Sequence, residues 1–259
     1  MRKIRNLAVL SLLLAGVAFG WIYRQPLVDF YHHHLSRTEA PSRPRFKPDP
    51  ERYQELIAKI NQGRENLAVR YSGARSAEEI SQVITDAQQF LEEMLPEMMR
   101  CWLGTPWAFS GTCQTPGSGK IACGYFVSTI MRDAGFKVER IPLAQQASQR
   151  IIRTFVDRQR MHIRTNLNYA GFLDEVIARG PGIRIVGLDK HVAFLVVTQV
   201  GEVRFIHASG ADPYCVVDES REQAGSLKRS RYRVTANLTR NPEVIHGWLT
   251  GANWPTYGR

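Results

Sequence analysis

The 259-residue chain has only four cysteines, too few for a disulfide-stapled scaffold. Its 20 glycines and 13 prolines are too few for a collagenous chain, and 44% hydrophobic against 22% charged residues excludes a disordered one. The histidines lack ligand spacing with each other or with carboxylates, so no metal is expected, and nothing calls for another cofactor. Acidic side chains are the scarcer charge, 24 against 34 Lys and Arg, a formal net charge of +10. Such an excess first suggests nucleic acid or an anionic surface. No zinc-finger spacing, RNA-binding aromatic motif or helix-turn-helix signal accompanies it, so nucleic acid is not an expected partner. The excess is also segmental: residues 1–50 carry 8 basic and 3 acidic side chains, residues 51–100 carry 6 and 9, and residues 101–259 carry 20 and 12.

Long apolar runs are equally scarce, and the one present identifies a topogenic segment. Arg2, Lys3 and Arg5 precede LAVLSLLLAGVAFGWIY, Leu7 to Tyr23. Its length lies at the short end of the roughly 17–25 residues that span a bilayer, and the basic flank directs the remainder outward. Residues 1–24 are therefore read as a signal peptide, with Ala18 and Gly20 placed for cleavage, or as a signal anchor in the inner membrane held by Trp21, Ile22, Tyr23 and Arg24. The rest is expected to be extracytoplasmic, in the periplasm or cell envelope. No cysteine lies near the run, so N-terminal lipidation is not expected. Residues 25–50 read as a Pro/Arg-rich linker, with four prolines in SRTEAPSRPRFKPDP. His32, His33 and His34 cannot share one face and read as a solvated patch.

Residues 51–100 are expected to be helical. Asp49 with Pro50 forms an N-terminal cap, followed by Leu56, Ile57, Ile60 and Leu67 at helical spacing. Ser76 and Glu79 form a capping box, and Ile80, Val83, Ile84, Ala87, Phe90, Leu91 and Met94 predict an amphipathic helix over 76–94. This region is read as packing, a lid, or a docking surface for a regulatory protein partner.

From Gly104 turn-forming residues surround the reactive candidates. Phe126, Val127, Ile130, Met131 and Ala134 recur at three and four, Gly135 ends the pattern, and Cys123 falls at its N-terminus. Unpaired N–H groups and partial positive charge there favour thiolate and offer donors to an oxyanion. Downstream, Val192–Val197 and a run from Val203 predict two strands, with His191 opening one and His207 closing the next. A loop centred on Gln199 sets the imidazoles opposite each other, whereas a turn at Gly201–Glu202 sets His207 opposite Val196. Thiol catalysis needs one imidazole to take the proton and a third polar group to orient it.

The motifs GTPWAFSG at Gly104–Gly111, ACGYFV at Ala122–Val127, HVAFLVV at His191–Val197 and FIHAS at Phe205–Ser209 stand in the order found in the NlpC family of papain-like cysteine peptidases, which residues 100–210 resemble. The resemblance implies an α+β fold: a papain-like NlpC-type domain over 101–259, its nucleophile-bearing helix packed on an antiparallel sheet. It implies Cys123 as nucleophile, His191 as general base and His207 as the residue fixing the tautomer of His191. The oxyanion and substrate side is implied to involve Trp107, Ser110 and Gly124, beside the backbone N–H of Cys123. It further implies cleavage of an amide bond in peptidoglycan stem peptides. Ala122 replaces the family's acidic residue, Gly124 its Ser and Trp107 its Tyr, so a Cys–His amidase or acyltransferase on another substrate, or a catalytically silent wall-binding scaffold, stays open.

Cys101, Cys113 and Cys215 would share an oxidising compartment with Cys123, which permits one disulfide among them. Leu143, Ala147, Ile151, Ile152 and Phe155 predict a helix within 142–164, its arginines on a solvated or polyanion-facing surface. A strand is expected over Arg231–Leu238, followed by Asn241–Leu249, where His246 is surrounded by no motif.

Overall fold

The computed structural model describes residues 46–258. The expected signal segment 1–24, the three adjacent histidines and the linker up to residue 45 lie outside the described residues. Among those described, no helix is long and apolar enough to cross a membrane.

Two long helices come first, α1 at Pro50–Gly73 and α2 at Ala77–Arg100. The caps are those the sequence predicts. Asp49 accepts from Arg52 N–H, and Ser76 accepts from Glu79 N–H at 3.1 Å. The Glu79 carboxylate takes Arg75 N–H, so the box closes one residue early. Helix α2 runs six residues beyond the predicted 76–94 span, through Pro96. Leu95, Met98 and Met99 are fully buried there, and that burial outweighs the hydrogen bond that proline cannot donate.

The chain continues through α3 at Cys123–Asp133, β1 at Lys137–Val138, α4 at Arg140–Ala144, α5 at Ser148–Phe155 and β2 at His162–Thr165. The helix predicted within 142–164 is thus two short helices, a turn and a strand. Extended backbone at Ala147 separates the two helices and at Val156 ends the second, while Leu143, Ile151, Ile152 and Phe155 still enter the core. Then follow α6 at Tyr169–Ala178, β3 at Gly182–Leu188, β4 at His191–Val197, β5 at Val203–Ala208, β6 at Val216–Ser220 and α7 at Gly225–Arg229. The last elements are β7 at Tyr232–Asn237, α8 at Pro242–Thr250 and β8 at Asn253–Trp254. His246, with no motif around it in sequence, pairs its Nδ1 with Tyr71 Oη at 2.8 Å and ties α8 to α1.

Six strands form one antiparallel sheet in the order β2-β7-β3-β4-β5-β6, and β1 pairs with β8 in parallel. The fold class is therefore α+β, with a helix–sheet core. Both faces of the sheet are covered, and alternation along the strands divides the side chains between them. Val192, Phe194, Val196 and Ile206 join the larger core with α1, α2, α3, α5 and α8. Ala193, Leu195, Val197, Val203 and Phe205 face a smaller one under α6 and α7. Residues 51–100 share the larger core: Tyr53, Leu91 and Met98 pack in one cluster with Phe126, Phe194 and Trp248.

The predicted stripe on α2 divides by depth, since Leu91 is fully buried and Ile80 is 36% exposed. Leu91→Ala is expected to lower the unfolding free energy by about 2–5 kcal/mol, and Ile80→Ala by no more than about 0.5 kcal/mol. Urea midpoints at constant m-value check the contrast.

Candidate active site

The site forms at the end of the sheet where β4 begins. Helix α3 reaches it because Phe126 packs edge-on against Phe194 at 6.0 Å, which docks the helix on the larger-core face. Its first residue is Cys123, with Ala122 as N-cap. Gly124 follows, and a Cβ there would lie 2.2 Å from the Ala144 carbonyl oxygen, so the missing side chain lets α4 close against α3. That contact accounts for glycine at this position.

Pairing of β4 with β5 stops at Phe194↔Ile206. Beyond it the backbone N–H groups of Val192, Gly124 and Cys123 itself lie near enough to Cys123 Sγ to favour its thiolate. Burial is nevertheless the larger effect and pushes the Cys123 thiol above its ordinary range, so the resting group is a thiol rather than the thiolate that the helix terminus alone favours. Cys101 is pushed up to about 11 by burial and Asp49, and Cys113 is raised by burial. Cys101, Cys113 and Cys123 are all thiols, so no bridge joins any two of them.

The register of β4 and β5 places Val197 opposite Val203 and Leu195 opposite Phe205, which centres the turn on Val200. That differs from both registers read in the sequence. His191 and His207 are diagonal neighbours on the smaller-core face, with His191 Nε2 and His207 Nδ1 2.8 Å apart. His207 is 1% exposed, and its Nε2 lies 3.1 Å from Glu219 Oε2 on β6. The carboxylate holds a His207 proton on Nε2. His207 Nδ1 then accepts from His191 Nε2–H, which leaves the lone pair of His191 on Nδ1. Burial, and secondarily the neighbouring His207, lower the pKa of His191 to about 3 and keep it a neutral base.

A cleft of about 680 Å³ brings Cys123 and His191 together with Trp107, Gly124, Phe109, Tyr125 and Lys190. Cys123 arrives from the larger-core face and His191 from the other, and both line the cleft because both lie at the strand end. Among the described residues no hydrogen bond joins Sγ to either imidazole. Trp107 is held by its backbone N–H, which donates to Tyr214 O at 2.7 Å, and by its ring against Gly210, where a Cβ would lie 2.9 Å away. Ser110 is exposed on the turn and is not among the residues lining the cleft. Glu219, Lys190 and Phe109 were not singled out in the sequence. The alternation of VVDES puts Glu219 in phase with Phe205, a signal usable only once β6 is paired. No cluster of three or more His, Cys, Asp or Glu side chains among the described residues is arranged to hold a metal ion.

No protein family, curated protein or solved structure was found to match this chain.

The lowered pKa of His191 has a stability consequence. The native state binds fewer protons than the unfolded chain between about pH 3 and the ordinary histidine value near 6.5, so this contribution is present above that value and is lost as pH falls. Between about pH 6.5 and 5, before most carboxylates titrate, the slope from this group approaches ~1.4 kcal/mol per pH unit. Urea unfolding of wild type and His191→Gln across that range is expected to show the slope reduced in the variant.

Proposed function

We propose that the chain is an exported cysteine hydrolase with a papain-like, NlpC-type arrangement, cleaving an amide bond in cell-wall stem peptides. The supporting observation is the cleft shared by Cys123, at a helix N-terminus, and His191, whose far nitrogen is tied to His207 and through it to Glu219. His191 Nδ1 takes the thiol proton as Sγ attacks the carbonyl carbon, a hydrogen bond that forms when substrate fills the cleft. The tetrahedral oxygen receives the backbone N–H groups that already reach Sγ. The imidazolium then gives its proton to the leaving amine as the C–N bond breaks. Water, deprotonated by His191, hydrolyses the thioester and returns the thiol. Lys190 in the cleft suits the carboxylates that stem peptides carry. The two neutral resting groups mean that proton transfer accompanies attack rather than preceding it.

A Cys–His amidase or acyltransferase on a different amide or ester is a second reading, and a specific feature favours it: Trp107, Tyr125 and Phe109 give the cleft an aromatic wall, with Phe109 89% exposed and presented to an incoming group.

Digestion of purified sacculi followed by mass analysis is expected to release stem-peptide fragments with wild type, and Cys123→Ala to reduce release by more than about 10³-fold. Unchanged release by the variant would rule out the thiol mechanism. Glu219→Ala is expected to lower kcat by up to about 10⁴-fold, the cost of a misassigned tautomer, with a smaller change in KM. Because burial raises the Cys123 thiol, its alkylation by iodoacetamide is expected to be slow near pH 7 and to accelerate above the ordinary thiol value, as followed by peptide mass analysis.

A further inference from the structure

A second cavity, of about 380 Å³, opens at the other end of the sheet, where β7 ends and β3 begins. Arg160, Arg179, Arg184 and Arg240 line it together with His162 and Asn241, and no carboxylate does. Three of these cationic or ionisable groups are matched nearby. Arg240 forms a bidentate pair with Glu92 at 2.6 and 2.7 Å, Arg160 meets Glu243 at 2.9 Å, and His162 meets Glu175 at 2.6 Å. Arg179 and Arg184 have no carboxylate partner among the described residues.

Arg184 is the less ordinary of the two. It is 2% exposed and donates to the carbonyls of Gly180 at 2.6 Å and Gly182 at 3.2 Å, dipoles that orient the guanidinium without neutralising it. Burial, with the charge of Arg179 second, lowers its pKa to about 10. Glu92 acts on it only from a distance and is itself paired with Arg240; a buried cation without a carboxylate in contact is expensive, and an anion in the adjoining cavity would relieve that cost. Asn241, 5% exposed, commits its Oδ1 to Glu243 N–H, while its buried Nδ2 has no partner.

We propose that this cavity binds a phosphate group, free or esterified. Four separate segments supply the donors: the turn before β2, the end of α6, strand β3 and the β7–α8 loop. A tetrahedral oxyanion accepts N–H groups from several directions, whereas a planar carboxylate is satisfied by one guanidinium fork. The two unmatched positive charges equal those of a phosphate dianion. The site is independent of the thiol chemistry and lies at the opposite sheet end from Cys123.

Thermal unfolding of the full chain, near pH 8 and at constant ionic strength, tests the assignment with inorganic phosphate, glycerol 3-phosphate and acetate. A saturable rise in Tm with phosphate but not with acetate is expected. Replacing buried Arg184 risks the fold, so Arg179→Ala, at an exposed position, carries the variant test. Its Tm without ligand should be unchanged and its phosphate affinity about ten- to hundredfold weaker. A lower dissociation constant for glycerol 3-phosphate identifies an esterified ligand, and equal constants a free one. Absence of a rise, an equal rise with acetate, or an unaltered response in Arg179→Ala overturns the proposal. Cys123→Ala should keep the full phosphate response, which separates this result from the outcome for the hydrolase.

Discussion

The docking of α3 on the sheet is the constraint from which the site follows. Phe126 meets Phe194 at 6.0 Å, Trp102 meets Phe126 at 6.1 Å, and Tyr53 meets Trp102 at 5.5 Å, each pair steeply inclined. Edge-to-face contacts of this kind each add about 0.5–1.5 kcal/mol beyond area burial. They form a continuous run from α1 to β4. Tyr53 also donates to Asp133 Oδ2 at 2.9 Å, so α1 grips α3 near its C-terminal end while Phe126 fixes it near the N-terminal one. At the far side Trp248 Nε1 donates to Ala134 O at 2.7 Å and closes the same helix against α8. The two N-terminal helices thus position a residue they do not touch, because an interior packed to crystalline density transmits displacement.

At the strand end this rigidity meets an electrostatic conflict. Burial raises the thiol and lowers the imidazole, so both groups are driven to their neutral forms. An ion pair formed in advance would cost the desolvation of two charges. In the hydrolase proposed above, a neutral pair would defer that cost to the moment when substrate supplies an oxyanion to be stabilised. The His191–His207–Glu219 run fits such a scheme. It ends on a carboxylate that is partly exposed, and His191 at its other end is half-buried at the cleft, so only the central ring, His207, is shut away from water. The order across β4, β5 and β6 is a diagonal allowed by strand register, since all three residues occupy the same phase of alternation.

Local signals were the legible ones. Asp49, Ser76 and Gly135 mark helix ends through contacts within a few residues, and the strands carrying His191 and His207 announce themselves by apolar runs. Register was not legible, because Gln199, Val200, Gly201 and Glu202 allow several turns and only the paired neighbours select the one centred on Val200. The break at Ala147 was hidden because its flanking apolar residues keep helical spacing while serving two different helices. Nor could one strand reveal that the imidazoles and the cysteine helix belong to different sheet faces. Glu219 was silent for the same reason: its role depends on two pairings, β4 with β5 and β5 with β6, that no short motif encodes.

The basic excess also acquires a structural meaning. Of the +10, residues 1–50 account for five. Among the described residues, three arginines lie under the surface and serve as internal caps. Arg140 donates to the carbonyls of Thr112 and Cys113, Arg184 to those of Gly180 and Gly182, and Arg233 to those of Leu167, Leu227 and Lys228. Carbonyls at helix ends and in tight loops have no backbone donor, and a guanidinium with five N–H groups can satisfy several at once. Arg140 and Arg233 are further balanced by aromatic faces, Tyr125 and Phe172, each 5.0 Å away. Arg184 has no ring or carboxylate against it among the described residues. Of the three buried caps, it is therefore the one whose charge is left to be met from outside the fold.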